Sequence, residues 1–209
     1  MIKAVLFDLD GVLIDSLKTN YLAYNSTLKR FGKKKLDLKK YQDVFWGPHI
    51  DDCIKISFGN LTKKMKKKIA DHYHKKRLEF TKFTRIYKNV MAILKKLKKK
   101  FKLGLVTSTV TFVTHKTLEY FDIKKYFDVI VCGDEAKPKP APDAIFRACN
   151  ELKIIPEEAI YIGDNFQDVE AGKKAKCFTV AITTTSSKEE LKDADKIINN
   201  FNELIKVIK

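Results

Sequence analysis

Residues 7–16 read Phe-Asp-Leu-Asp-Gly-Val-Leu-Ile-Asp-Ser, directly after the apolar run of residues 2–7. An apolar run with β-branched residues, bounded by glycine, reads as a buried strand. Side chains two apart on a strand share a face, so Asp8 and Asp10 emerge together at its carboxyl end. Two neighbouring carboxylates are costly to hold ionised unless a cation or a proton sits between them. Magnesium suits that place, because it is a hard ion that takes oxygen ligands and keeps waters that a phosphate can replace.

Three further apolar runs follow the same plan. Residues 102–106 end in Thr107-Ser108-Thr109, residues 127–132 lead into the loop of residues 133–143, and residues 159–162 lead into Gly163-Asp164-Asn165-Phe166-Gln167-Asp168. A helical pattern follows each run, so the chain alternates strand and helix. That predicts an α/β fold, a Rossmann-like parallel sheet flanked by helices. Residues 176–182 read as a fifth strand and residues 194–198 as a sixth, at the edge, before a short terminal helix. Ligands of such sheets lie outside the carboxyl ends of the strands, and every polar group just named falls at such an end.

In this order and spacing the four motifs resemble those of the haloacid dehalogenase superfamily of phosphohydrolases, in its phosphoglycolate-phosphatase-like branch, over nearly the whole chain. The resemblance implies that Asp8 is the nucleophile and Asp10 the general acid and base. It implies that Mg2+ is held by Asp8, by Asp164 and by Asp10 through its main-chain carbonyl. Thr107, with Ser108 beside it, matches the group that binds the transferring phosphoryl oxygens. Lys139, in Lys-Pro-Lys-Pro-Ala-Pro-Asp, matches the lysine that neutralises charge between nucleophile and phosphate, in preference to nearby Lys137. Asp168 matches a supporting carboxylate.

The activity implied is magnesium-dependent hydrolysis of a small phosphate monoester through an aspartyl-phosphate on Asp8. Phosphoglycolate, a nucleoside monophosphate and a sugar phosphate are the substrates to consider. A phosphomutase or phosphotransferase is the alternative within the superfamily. Mutases resembling this fold carry a histidine five residues after the position of Asp15, where this chain has Asn20. Dehalogenation is demoted because it needs neither the second aspartate nor a metal.

Residues 16–84 show no strand pattern. Leu17, Tyr21, Tyr24, Leu28 and Phe31 recur at helical spacing, as do Met65, Ile69, Tyr73 and Leu78. This reads as a small all-helical cap domain inserted into a core of residues 1–15 and 85–209, with hinges near residues 15–17 and 83–87. Trp46 and His49, in Phe45-Trp46-Gly47-Pro48-His49, are the candidates for a substrate-contacting cap loop. His72 and His74, two apart on a helix, do not share a face and read as solvated surface residues.

With 209 residues the chain can hold one α/β domain and an insertion around a sizeable core. Four scattered cysteines without a Cys-x-x-Cys pair point to a reduced, cytoplasmic setting. No stretch is long and apolar enough to span a membrane, and Met1 runs straight into the first strand. The 42 lysines and arginines against 26 acids give a formal charge of +16. That raises a rival reading, a nucleic-acid end-phosphatase or a basic nucleic-acid-binding protein. It is disfavoured because only four of the basic residues are arginine and the lysine runs fall on predicted helix faces. The partner expected is a small phosphorylated substrate, with no membrane, and with nucleic acid disfavoured.

Overall fold

All four residues of β1 (Ala4–Phe7) are buried, and alternate side chains enter different layers. Val5 and Phe7 join a cluster with Leu103, Leu105, Ile160, Ile162, Val180 and Ile182. Ala4 and Leu6 join another with Val106, Val129, Val131, Ala159 and Tyr161. Strand periodicity of two sorts neighbouring residues onto opposite faces, and both faces here are covered by helices. That is why these strands read as continuous apolar runs instead of alternating ones.

The structure is a computed structural model and describes residues 1–208. After β1 come β2 (Ile14–Asp15), helices α1 (Leu17–Arg30), α2 (Leu38–Phe45), α3 (Ile50–Phe58) and α4 (Lys63–Glu79), then β3 (Arg85–Ile86) and α5 (Val90–Leu97). The remainder runs β4 (Lys102–Val106), α6 (Thr111–Tyr120), β5 (Val129–Val131), α7 (Asp143–Glu151), β6 (Ala159–Gly163), α8 (Phe166–Ala175), β7 (Phe178–Ile182), β8 (Lys196–Ile198) and α9 (Leu204–Val207). Six strands form one parallel sheet in the order β5-β4-β1-β6-β7-β8, and β2 pairs with β3 in a separate two-stranded sheet. Helices α5 and α9 pack through Val90, Ile93, Leu94, Leu97 and Leu204 on the Phe7 side. Helices α7 and α8 pack through Ile145, Ala148, Cys149 and Ala171 on the Leu6 side.

Order along this sheet reverses at β1. The chain steps from β1 to β4 and β5 on one side, then returns to β6 on the other. In register, Phe7 lies opposite both Leu105 and Ile162, so the strands flanking β1 end level with it. Asp8 then follows β1, Thr107 follows β4 and Asp164 follows β6. A crevice at the carboxyl ends beside such a switch point is where open α/β sheets place ligands.

Strand limits differ from the sequence expectation in places. The run at residues 127–132 is a strand only over Val129–Val131. The Asp128 carboxylate accepts the Leu103 N–H at 2.8 Å, so a side chain replaces the ladder at that end. The expected strands 176–182 and 194–198 begin at Phe178 and Lys196.

By contact density the chain divides into two compact units, Met1–Asp15 with Ile86–Lys209, and Ser16–Arg85. Residues 16–84 contain no strand. The second unit is a group of four helices whose core is largely aromatic: Tyr24 lies 5.0 Å from Phe45, 5.8 Å from Tyr41 and 6.0 Å from Tyr73 between ring centroids. The buried Tyr24 hydroxyl donates to the Cys53 carbonyl at 2.8 Å, supplying the partner that a buried phenol needs. Asp37 and Thr62 cap α2 and α4 by accepting N–H bonds at 2.8 and 3.3 Å. His72 and His74 depart from expectation. Both are half-buried; His72 Nδ1 lies 3.1 Å from Thr27 Oγ1 with its ring edge-on to Phe31, and His74 leans on Tyr73. Each meets its own neighbour, a contact that spacing along one helix does not reveal.

Leu6 is fully buried in the central strand, and Leu6→Ala should lower the unfolding free energy by about 2–5 kcal/mol. Chemical denaturation of the two proteins measures this.

Candidate active site

Asp8 is the first residue beyond β1 and is held there by the ladder, its N–H donating to the Ile162 carbonyl at 2.9 Å. Asp164 follows β6, and Asp168 sits in the first turn of α8. All three carboxylates are buried, Asp8 at 5% exposure and the other two at 0%. One oxygen from each lies within 4.8 Å of the others. Such an approach needs glycine. At Gly163 a Cβ would overlap the Asp168 side chain, and at Gly11, where φ is +83°, it would overlap the Asp164 carboxylate.

Lys139 enters this cluster from the loop between β5 and α7. Its Nζ donates to Asp8 Oδ1 at 2.7 Å, Asp168 Oδ1 at 2.6 Å and the Tyr161 hydroxyl at 2.9 Å, with the Val106 carbonyl at 3.3 Å. Its side chain is 6% exposed. Burial pulls the ammonium pKa down, but Asp168 and Asp8 more than offset it and hold the group well above the ordinary lysine value. Burial pushes the Asp8 carboxyl well above its usual range; Lys139 opposes that, while Asp168 and Asp164 reinforce it. Lys137, the rival in sequence, is exposed and faces Asp143 at 3.5 Å.

Tyr161 was not legible as part of this cluster. It lies mid-strand in β6, reads as core, and is completely buried. Its hydroxyl donates to Asp168 Oδ1 at 2.7 Å while accepting from Lys139. Burial first, then Asp168, raises its pKa well above the ordinary phenol value. Asp168 is therefore used on both oxygens, Oδ1 by Lys139 and Tyr161, and Oδ2 by the Asp164 N–H at 3.3 Å. Asp164 accepts from Thr185 and, at 3.4 Å, from Asn165. Asp8 Oδ2 has no hydrogen bond among the described residues.

Asp10 is half-buried, and its Oδ2 accepts from the Thr109 hydroxyl at 2.7 Å. Its carboxylate is not part of the three-carboxylate group. Thr107 Oγ1 accepts the Thr109 N–H at 3.1 Å, which shapes the turn after β4. Its hydroxyl hydrogen has no acceptor among the described residues, so Thr107 retains a donor for a ligand. Thr107, Ser108, Gly133 and Lys139 line one small cleft. Trp46 and His49 belong to the helical unit: Trp46 ends α2 half-buried, and His49 caps α3, its Nδ1 accepting the Asp51 N–H at 3.3 Å. Thr109 and Thr185, each three residues beyond a strand, and Tyr161, inside one, were missed because a lone hydroxyl carries no sequence signature.

The donor set suits a small hard cation. It offers only oxygen, and with all groups ionised three carboxylates face one ammonium, leaving the cluster two negative charges in a buried place. Asp168 is tied to Lys139 and Tyr161 on one oxygen and to the Asp164 N–H on the other.

Tyr161→Phe removes one donor to Asp168 and one acceptor from Lys139, and should cost about 1–3 kcal/mol. Lys139→Met leaves the carboxylates unbalanced and should cost more, about 3–5 kcal/mol. Denaturant titration without divalent cations ranks them; equal stability of both variants and the parent contradicts the arrangement.

Comparison with known proteins agrees with this geometry. A family model described as haloacid dehalogenase-like hydrolase matches residues 5–182. A phosphoglycolate phosphatase of Aquifex aeolicus is 30% identical, with 99% of this chain and 96% of that protein covered. A pyrophosphatase PpaX of Bacillus velezensis is 32% identical over 88% of this chain and 84% of that protein. The crystal structure of a predicted phosphatase from Clostridium acetobutylicum superposes with a TM-score of 0.88 at 30% identity, covering 100% of this chain and 98% of that one. With its sheet, its switch-point carboxylates and these relatives in agreement, the chain belongs to the haloacid dehalogenase-like hydrolase family.

Proposed function

We propose that this hydrolase is a magnesium-dependent phosphatase acting on a small phosphate monoester through an aspartyl-phosphate on Asp8. The observation that carries the reading is the buried cluster in which three carboxylates face a single lysine, with one oxygen of Asp8 tied to Lys139 and the other unbonded. The relatives named phosphoglycolate phosphatase and pyrophosphatase support it.

Asp8 attacks phosphorus, forming an acyl-phosphate bond as the ester P–O bond breaks. Asp10, oriented by Thr109, gives its proton to the departing oxygen. In the second displacement Asp10 takes a proton from water as that water attacks the same phosphorus. Inorganic phosphate leaves and the Asp8 carboxylate is restored. Thr107 donates its hydroxyl to an equatorial phosphoryl oxygen, and backbone N–H groups around Ser108 bind others. Lys139, oriented by Asp168 and Tyr161, balances charge between Asp8 and phosphate. Asp8, Asp164 and the main-chain carbonyl of Asp10 would hold Mg2+, which supplies charge neutralisation for the phosphate dianion.

The helical unit Ser16–Arg85 acts in this reading as a cap that excludes water, with Trp46 and His49 as its substrate-contacting candidates. A mutase role is less well supported. Asn20, where the mutases carry histidine, is a buried amide whose nitrogen reaches Ser16 Oγ at 3.4 Å, and an amide cannot relay a proton at neutral pH.

Phosphate release from phosphoglycolate, nucleoside monophosphates, sugar phosphates and pyrophosphate, with Mg2+ and with excess EDTA, tests the reading. Release should require the metal, and Asp8→Asn should lower it by at least about 10³-fold while leaving the fold unchanged. Release that survives both EDTA and Asp8→Asn contradicts the mechanism.

A further inference from the structure

The division of the chain into two units divides its charge unevenly. Ser16–Arg85 carries 19 lysines and arginines against 6 aspartates and glutamates, whereas the rest of the chain carries 23 against 20. Thus 13 of the 16 net positive charges lie in a third of the sequence. A lysine bias acting evenly on the whole chain enriches both units alike and removes acids from neither. Read as runs along the sequence, these lysines look like solvated helix faces; gathered in one unit and short of acids, they make a surface.

The helices assemble part of that surface. Lys64, Lys67, Lys68, Asp71 and Lys75 are all exposed, and steps of three and four residues set them along one side of α4. Lys67 is occupied by Asp71 at 2.9 Å, Lys66 by Asp51 at 2.7 Å and Lys76 by Glu79 at 2.5 Å. Lys64, Lys68 and Lys75 have no carboxylate partner among the described residues. Aromatic packing brings the end of α1 to the same place. The Phe31 ring meets both Phe58, at 6.3 Å, and His72, at 5.8 Å, and Lys33 Nζ sits 5.6 Å from the Phe58 ring centroid. Arg30 thereby joins Lys75 and Lys76 around His72, whose pKa is lowered first by burial and then by Lys76 and Arg30.

We propose that the helical unit binds nucleic acid through its phosphodiester backbone, without sequence preference, on the face formed by Arg30, Lys33, Lys64, Lys68 and Lys75. A row in which cations outnumber acids, its one aspartate taken up by Lys67, fits a polymer of regularly spaced phosphates. Arg30 is the one guanidinium in the row. Lysine engages phosphate as a point charge, and base edges are read chiefly by planar bidentate groups, so contact stays with the backbone. An anionic membrane fits less well. Of the large apolar residues of α4, Ile69 and Tyr73 are buried and Leu78 is half-buried, so Met65 stands exposed by itself on that helix and leaves no apolar stripe to enter a bilayer. The proposal concerns binding alone and does not depend on the hydrolytic reading.

The test is fluorescence anisotropy of a labelled 20-nucleotide strand with the full chain, at about 50 and 200 mM salt. Binding should be measurable at the lower salt, indifferent to base sequence, and on the order of 10²–10³-fold weaker at the higher. The triple variant Lys64→Glu, Lys68→Glu, Lys75→Glu should lose at least tenfold in affinity. The variant Lys95→Glu, Lys96→Glu, Lys99→Glu makes the same charge change on α5 and the turn that follows it, in the other unit, and should retain most of it. Unchanged circular dichroism and phosphate release confirm that both variants are folded. No binding at low salt, or equal loss in both variants, overturns the proposal. So does binding to phosphatidylserine vesicles with none to the oligonucleotide.

Discussion

Three carboxylates are buried around one ammonium at the carboxyl ends of β1 and β6, and the site is organised by that imbalance. Lys139 bonds to Asp8 and Asp168 together, and an oxygen of Asp164 lies within 4.8 Å of theirs. Burying uncompensated charge is expensive. A cation held among the three carboxylates would offset that cost, and their all-oxygen character suits a hard one. The surrounding sequence serves that end: glycines at 11 and 163 give the carboxylates room, and Tyr161 and the Asp164 N–H absorb the lone pairs of Asp168.

Much of this was visible in the sequence because the fold makes it periodic. Strands buried on both faces are short apolar runs, and the residues after them fall at one edge of the sheet, so position gave that edge, while the resemblance of the motifs singled out Asp8, Thr107, Lys139 and Asp164. Limits of strands were less legible, since Asp128 substitutes its side chain for a ladder bond where the run continues apolar. Tyr161 escaped because a tyrosine inside a strand has the same sequence signature whether its hydroxyl meets solvent, backbone or a buried lysine. His72 and His74 escaped for a related reason: spacing within one helix shows which residues share a face, not which neighbouring helix covers that face. The carboxylates of Asp10 and Asp168 also divide their duties differently from simple strand alternation. Asp10 turns to Thr109, and Asp168 completes the buried group from α8.

The two units differ in how they are stabilised and in what they present. The sheet unit buries aliphatic layers on both faces and is nearly balanced in charge. The helical unit has an aromatic core and carries most of the net positive charge. A field of that sign attracts anions at long range and speeds their encounter with the protein.

Calorimetric titration of the metal-free protein with Mg2+ is the most direct measurement of the central claim. The account predicts saturable binding of one ion, strongly weakened in Asp164→Asn although that variant remains folded. Absence of binding, or binding that Asp164→Asn leaves unchanged, would contradict it.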